Sequence, residues 1–251
     1  MKKTIQRVLA AVILFAMILS GGFSEVGKVH AEKQQGTTKR AIYVVFDNSG
    51  SMYGDGNKAW SQATYAMEVF AAMMNYESGD VMKVFPMHDI TTDGNTGSAT
   101  KSSMEIRGKD DIAQIHNMYT PKPGGTPYTQ VNNAAGELTK LLNAGSVDEG
   151  WLVVLTDGDF DNDIPASGLK ADLEGKAAAN ENLYVQYLAI GTDVKNIPEG
   201  NADKGLYAQK AGNTSEVVNE LAEISNRIFK RNEYAGYSSE DSGLEFDIPL
   251  R

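Results

Sequence analysis

The chain has 251 residues, with 33 acidic and 23 basic side chains and a formal net charge of −10. Such an excess of negative charge repels nucleic acid and anionic membranes, so we expect neither as a partner. The sequence contains no cysteine, which excludes zinc–thiolate sites and cysteine nucleophiles. An exported domain without disulfides relies on its hydrophobic core, which fits a bacterial origin better than a small eukaryotic secreted domain.

The first 31 residues have the order of a secretory signal peptide. Basic residues at positions 2, 3 and 7 precede an apolar run, Val8 to Leu19, and small residues follow up to Ala31. This order predicts cleavage after Ala31 and a secreted or cell-surface protein with no membrane span in the mature chain. The alternative is an uncleaved anchor helix, for which the apolar run is short. We expect residues 32–38 to form a flexible lead-in.

The stretch from Ala41 to Ser51 carries the first chemical signal. Ala41 to Phe46 is an apolar, β-branched and aromatic run, typical of a strand buried on both faces. Asp47 ends it, and Ser49 and Ser51 follow. An acid and two hydroxyls at the end of a strand offer hard oxygen ligands where open α/β sheets bind ligands. Such ligands suit Mg²⁺, Mn²⁺ or Ca²⁺, although Asp, Ser and Gly are also ordinary turn residues.

The next segments predict a helix, a strand, a long loop and a short edge strand. The helix is expected from Lys58, because apolar residues recur there at helical spacing. Val81 to Met87 reads as the second strand, and residues 103–107 as a short edge strand after a polar loop. A short helix is expected at 110–118. We interpret His88 and His116 as structural or exposed, since neither has a partner in the motifs.

A second set of oxygen ligands lies further along the chain. Thr126 is in a proline-rich loop, residues 121–127, which is stiff enough to hold one hydroxyl in place. A helix is expected from Tyr128. Trp151 to Thr156 is a second apolar strand that ends in an acid, Asp157. The acids that alternate after it could form a calcium loop, but the required glycine and twelfth-position acid are missing, so a solvated acidic loop is favoured.

The last third predicts two helices and two strands. Ser167 is expected to cap a helix that runs to about Asn180, and Thr214 to cap the last helix. Strands are predicted at 183–190 and 206–208. Residues 232–251 are polar and then alternate between apolar and polar, so they form either a tail or the start of a further domain.

This alternation of strands and helices predicts an α/β fold with a doubly wound, mostly parallel sheet and helices on both faces. The first strand and the strand before Asp157 would then end side by side at one edge, with the threonine loop over them. Aspartate and hydroxyl oxygens from three distant segments would meet there.

From residue 39 to residue 231 the chain resembles the von Willebrand factor A (vWA) family. The metal-ion-dependent adhesion site of that family consists of a D-x-S-x-S motif, a distant threonine and a distant aspartate. All of its positions have a match in this sequence: Asp47, Ser49, Ser51, Thr126 and Asp157. The resemblance therefore implies a Rossmann-like vWA domain with an intact metal site.

The resemblance also implies roles for these residues. Ser49 and Ser51 would bind Mg²⁺ directly (Mn²⁺ or Ca²⁺ being possible in its place), and Thr126 would do so when a ligand is bound. Asp47 and Asp157 would act through water or as alternate ligands. An Asp or Glu carboxylate of a protein partner would complete the shell, which implies an adhesion module and not an enzyme. A metal-assisted hydrolase and a purely structural cation site are the alternatives.

Overall fold

A computed structural model describes residues 38–88, 103–108, 111, 115, 126–158, 160 and 164–230, without the side chains of residues 54–57. The chain divides into two units, Met1–Thr38 and Lys39–Arg251, and the elements below belong to the second. The predicted signal peptide, lead-in and C-terminal tail lie outside the described residues, as do most of the predicted helix at 110–118 and of the threonine loop.

Six strands form one sheet. They are β1 (Arg40–Phe46), β2 (Val81–Pro86), β3 (Met104–Ile106), β4 (Glu149–Thr156), β5 (Leu183–Ile190) and β6 (Leu206–Ala211). Their order across the sheet is β3-β2-β1-β4-β5-β6. Neighbouring strands are parallel except that β3 runs antiparallel to β2. The predicted mostly parallel sheet is confirmed.

Helices cover both faces of this sheet, as expected for a doubly wound fold. They are α1 (Gly54–Met73), α2 (Thr129–Asn143), α3 (Leu169–Ala177) and α4 (Thr214–Phe229), with short 3₁₀ turns at Gly50–Tyr53, Tyr76–Ser78 and Ala202–Lys204. Helices α1 and α4 share one core with the sheet, and α2 and α3 share the other. Every residue of β1 and β4 is buried, which explains the apolar run within each strand, residues 41–46 and 151–155.

Several helix boundaries differ from the sequence predictions. Helix α1 begins at Gly54 and not at Lys58, because the preceding 3₁₀ turn leads directly into it and a glycine costs a helix only about 1 kcal/mol. Ser167 does not cap α3, whose N-cap is Gly168 at φ +86°. Asn213, and not Thr214, caps α4, since its side chain accepts a hydrogen bond from the Glu216 N–H.

The two central strands define where a ligand can bind. From β1 the chain continues to β2 on one side, and from β4 it continues to β5 on the other. Strand order therefore reverses between β1 and β4, and a crevice opens outside their carboxyl ends. The Asp47 N–H donates to the Leu155 carbonyl at 2.8 Å, so the two strand ends lie side by side. Within the described part of the chain, none of the helices has the length and apolarity that a bilayer crossing needs.

Candidate functional site

Asp47 is the buried centre of the candidate site. It follows β1 directly and has no exposed surface. One carboxylate oxygen, Oδ1, accepts the Ser49 N–H at 2.8 Å. The other, Oδ2, accepts the Thr156 hydroxyl at 2.7 Å. The carboxylate therefore connects the loop that follows β1 to the end of β4 by hydrogen bonds.

The two serines of the loop lie together above Asp47. Their hydroxyl oxygens are 2.9 Å apart, and Ser49 is buried whereas Ser51 is exposed. Between Asp47 and Ser49, the Asn48 side chain accepts the His88 N–H at 2.8 Å and donates to the His88 carbonyl at 3.2 Å. These two hydrogen bonds connect the loop to the end of β2. The loop is therefore attached to the ends of three adjacent strands, β2, β1 and β4.

Asp157 is carried on a tight turn at the end of β4. Gly158 has φ +80°, and a Cβ there would lie 1.7 Å from the Lys195 carbonyl oxygen. The Lys195 N–H donates to the Asp157 carbonyl at 2.9 Å. Asn196 Nδ2 donates to the Gly158 carbonyl at 2.8 Å. The loop after β5 therefore packs closely against the Asp157 turn, and only glycine fits at 158.

Thr126 is 2% exposed and lies just ahead of α2. The nearby Tyr128 ring packs edge-on against Phe160, with 5.5 Å between ring centroids. Since Phe160 comes shortly after Asp157, this contact brings the threonine segment beside the Asp157 loop. The other residues of the predicted threonine loop, 121–125, lie outside the described part.

Burial and the nearby negative charge of Asp157 together raise the pKa of Asp47 to about 6, against the hydrogen bonds from Ser49 and Thr156 that lower it. Burial also raises the pKa of the Tyr187 hydroxyl, to which the charges of Asp47 and Asp157 add. Tyr187, on β5, thus lies within the field of both acids.

This donor set fits a divalent cation. Two carboxylates lie close together, and Asp47 takes part in none of the ion pairs among the described residues. A cation would offset their repulsion, and carboxylate and hydroxyl oxygens are ligands suited to Mg²⁺, Mn²⁺ or Ca²⁺. The described residues contain no cluster of three or more His, Cys, Asp or Glu, so a cation here would need the hydroxyl groups as well. The metal site and its five residues stay a prediction.

Several supporting residues were missed by the sequence analysis. Thr156 bonds both Asp47 and the Gly158 N–H, the latter at 2.9 Å. Asn48 and Asn196 hold the two loops. Thr156 is the only hydroxyl residue in β4 and directly precedes Asp157, so the sequence could have indicated its role. The contact of Asn196 has no signal in the sequence, because it joins segments that meet only in the folded chain.

No model of a known protein family matches the sequence, and no curated protein matches it. Among solved structures, the chain is similar to the pilus adhesin SpaC from Lactobacillus rhamnosus GG, with a TM-score of 0.50 and 17% identity over 78% of this chain and 31% of the adhesin. The open conformation of SpaC gives a TM-score of 0.49 and 16% identity over the same shares.

The manganese-loaded TRAP protein of Plasmodium vivax gives a TM-score of 0.36 and 17% identity, over 74% of this chain and 63% of TRAP. The chain spans about a third of the length of SpaC, 31%. The likeness to SpaC shows a shared fold, in agreement with the α/β fold expected from the sequence.

Proposed function

We propose that the chain is an extracellular protein-binding module that depends on a divalent cation, Mg²⁺ in the first place. One observation carries the proposal: the buried Asp47 carboxylate, hydrogen-bonded to Ser49, lies close to Asp157 at the reversal of strand order, with the Ser49 and Ser51 hydroxyls beside each other. This is an anionic, oxygen-lined crevice at the edge where α/β sheets bind ligands.

Each residue has a distinct part in this proposal. Ser49 and Ser51 offer neutral oxygens to the cation. Thr126 adds a third, through a water molecule before a partner binds and directly once a partner is bound. Asp47 and Asp157 hold their negative charge behind these hydroxyls. A bound divalent cation would supply a positive centre that attracts a carboxylate of a partner protein. Ser51 is exposed, so the site is open on the side from which an Asp or Glu side chain would approach.

The metal-assisted hydrolase is less well supported. It needs a base that takes a proton from water. Burial and the charge of Asp157 raise the pKa of Asp47 to about 6, which would suit a base. However, both of its oxygens already accept hydrogen bonds and the side chain is buried. We therefore propose a binding function and not catalysis. The fold is shared with a pilus adhesin, and adhesion is the kind of activity proposed here. A secreted or cell-surface location follows from the signal peptide predicted from the sequence.

Affinity capture from the surface of the producing organism, with Mg²⁺ and with EDTA, should isolate the partner only when the cation is present. Calorimetry with the wild-type and Thr126→Ala proteins should then show binding by the wild type in Mg²⁺ and loss of binding in the other three combinations. Changing the critical Asp or Glu of the partner to its amide should weaken binding strongly, because a neutral oxygen loses the attraction to the cation. Equal affinities in all four combinations would rule out this function.

A further inference from the structure

Tyr128 makes contacts that helix capping does not explain. It is the N-cap residue of α2, yet its side chain makes no capping hydrogen bond. Its hydroxyl instead donates to Asp172 Oδ2 of α3 at 2.7 Å. The tyrosine is 1% exposed and Asp172 is half-buried, so this hydrogen bond joins the start of α2 to α3.

Asp172 is itself held in place. Lys176, one turn later on α3, lies 2.6 Å from Asp172 Oδ2. The same Lys176 ammonium is 5.4 Å from the centroid of the Tyr128 ring, within range of a cation–π contact. Each of the three side chains, Tyr128, Asp172 and Lys176, therefore contacts the other two. We call this group the tyrosine anchor.

The tyrosine anchor is joined to the candidate site through Phe160. The Tyr128 ring packs edge-on against Phe160, at an interplanar angle of 79°, and Phe160 belongs to the loop that follows Asp157. The tyrosine segment and the Asp157 loop are therefore in direct contact.

We infer that Tyr128 is a positioning residue for Thr126, and that Asp172 of α3 sets its place. Thr126 is two residues before the tyrosine, and Pro127 between them restricts φ. The proline also restricts the backbone of Thr126, so fixing Tyr128 limits where the buried Thr126 can lie. The packing on Phe160 sets the distance between this segment and the Asp157 loop. The inference rests on the proposed function, in which Thr126 is a cation ligand.

The test is a double-mutant cycle on Mg²⁺ affinity, measured by calorimetry with Mg²⁺ alone as the probe. Tyr128→Phe removes the hydrogen bond to Asp172 and keeps the ring on Phe160. We expect it to weaken Mg²⁺ binding about fivefold, the equivalent of one hydrogen bond of about 1 kcal/mol. In a Thr126→Ala background the same change should have no further effect, because Tyr128 acts only through Thr126.

Asp172→Ala removes the acceptor from α3 and should weaken Mg²⁺ binding as Tyr128→Phe does. Asp172→Asn keeps an oxygen acceptor and should recover most of the affinity. The two Asp172 variants also test the inference if Tyr128→Phe does not fold. Glu174→Ala is the matched control on the same helix: it removes bonds to Lys204 at 2.7 Å and Asn201 at 2.9 Å, and it should leave Mg²⁺ affinity unchanged.

The outcomes separate the two claims. If the wild type binds Mg²⁺ and Thr126→Ala weakens it, but Tyr128→Phe and Asp172→Ala do not, the inference is wrong and the proposed function stands. An undiminished effect of Tyr128→Phe in the Thr126→Ala background would likewise overturn the inference alone. If the wild type takes up no Mg²⁺, or Thr126→Ala binds it unchanged, the proposed function and the inference both fall.

Discussion

Asp47 combines complete burial with the nearby negative charge of Asp157, and both raise its pKa from 3.8 to about 6. The folded protein therefore holds this proton more tightly than the unfolded chain does. By linkage, the contribution of Asp47 to the free energy of unfolding is largest below about pH 4, where the carboxyl is protonated in both states. It falls as pH rises from about 4 to about 6, and above that range it has been lost completely. In the metal-free protein, Asp47 is thus a destabilising charge that a cation would relieve.

Asp47→Asn should consequently raise the melting temperature of the metal-free protein at pH 7.5. The amide keeps an oxygen for the Ser49 N–H and removes the charge. The gain should shrink as pH is lowered and disappear near pH 4, where Asp47 is protonated in both states. Thermal unfolding in EDTA across this pH range measures it, with the exposed Asp193 changed to Asn as the control. A lower melting temperature of Asp47→Asn at pH 7.5 would contradict the electrostatic description.

The backbone conformation of Gly158 gives a second prediction for a single residue. Its φ of +80° and the 1.7 Å approach of a Cβ to the Lys195 carbonyl mean that Gly158→Ala must displace the loop after β5. We expect a loss of at least about 2 kcal/mol in the free energy of unfolding, together with weaker Mg²⁺ binding because Asp157 moves.

Gly136→Ala is the matched control for Gly158→Ala. Gly136 lies inside α2 and has no atom within 4 Å of the position of an added Cβ. This change should stabilise the protein by about 0.5–1 kcal/mol and leave Mg²⁺ binding intact. Urea unfolding and calorimetry give both quantities. Equal stabilities of the two variants would show that the turn at 158 accommodates a side chain.

Among the secondary-structure elements, the strands were easier to predict than the helix ends. The sequence of β4 is a continuous apolar run because the strand is buried on both faces, and few other structures produce such a run. A helix end depends on which of several adjacent polar residues turns its side chain toward a free N–H. At α4 the neighbours Asn213 and Thr214 are both good N-cap residues, and only the backbone shows that Asn213 has the extended conformation of a cap.

These caps can be tested directly. Asn213 accepts the Glu216 N–H at 3.0 Å, so Asn213→Ala should lower the free energy of unfolding by about 1 kcal/mol. Ser167→Ala is the matched control, because Ser167 is exposed and α3 begins without a side-chain cap. It should change stability by less than about 0.5 kcal/mol. Urea denaturation of both variants measures the difference, and a larger loss for Ser167→Ala would reverse the assignment of the caps.

For the whole molecule, the sequence could predict where the candidate site lies but not how it is supported. Asp47 and Asp157 each end an apolar strand, and parallel strands bring such ends to one edge. The bond from Thr156 to Asp47 joins residues 109 positions apart, and the bond from Tyr128 to Asp172 joins residues 44 apart. No local pattern indicates such contacts, because they depend on the order of strands and helices in space.

The two hydrophobic cores lie on the faces of the sheet, while the candidate ligands lie at its edge. The described fold is therefore held by packing that does not include a cation. The proposed metal ion and partner could therefore bind and leave at this edge without loss of the fold.

The central claim is that Asp47, Ser49, Ser51, Thr126 and Asp157 together hold a divalent cation. Crystals grown with Mn²⁺ and measured for anomalous scattering at the manganese edge test it most directly. We expect one strong anomalous peak in the crevice between the ends of β1 and β4, next to the Ser49 and Ser51 hydroxyls. Asp157→Ala crystals should lack that peak while keeping the fold. A peak elsewhere on the chain, or none at this edge in the wild type, would contradict the account.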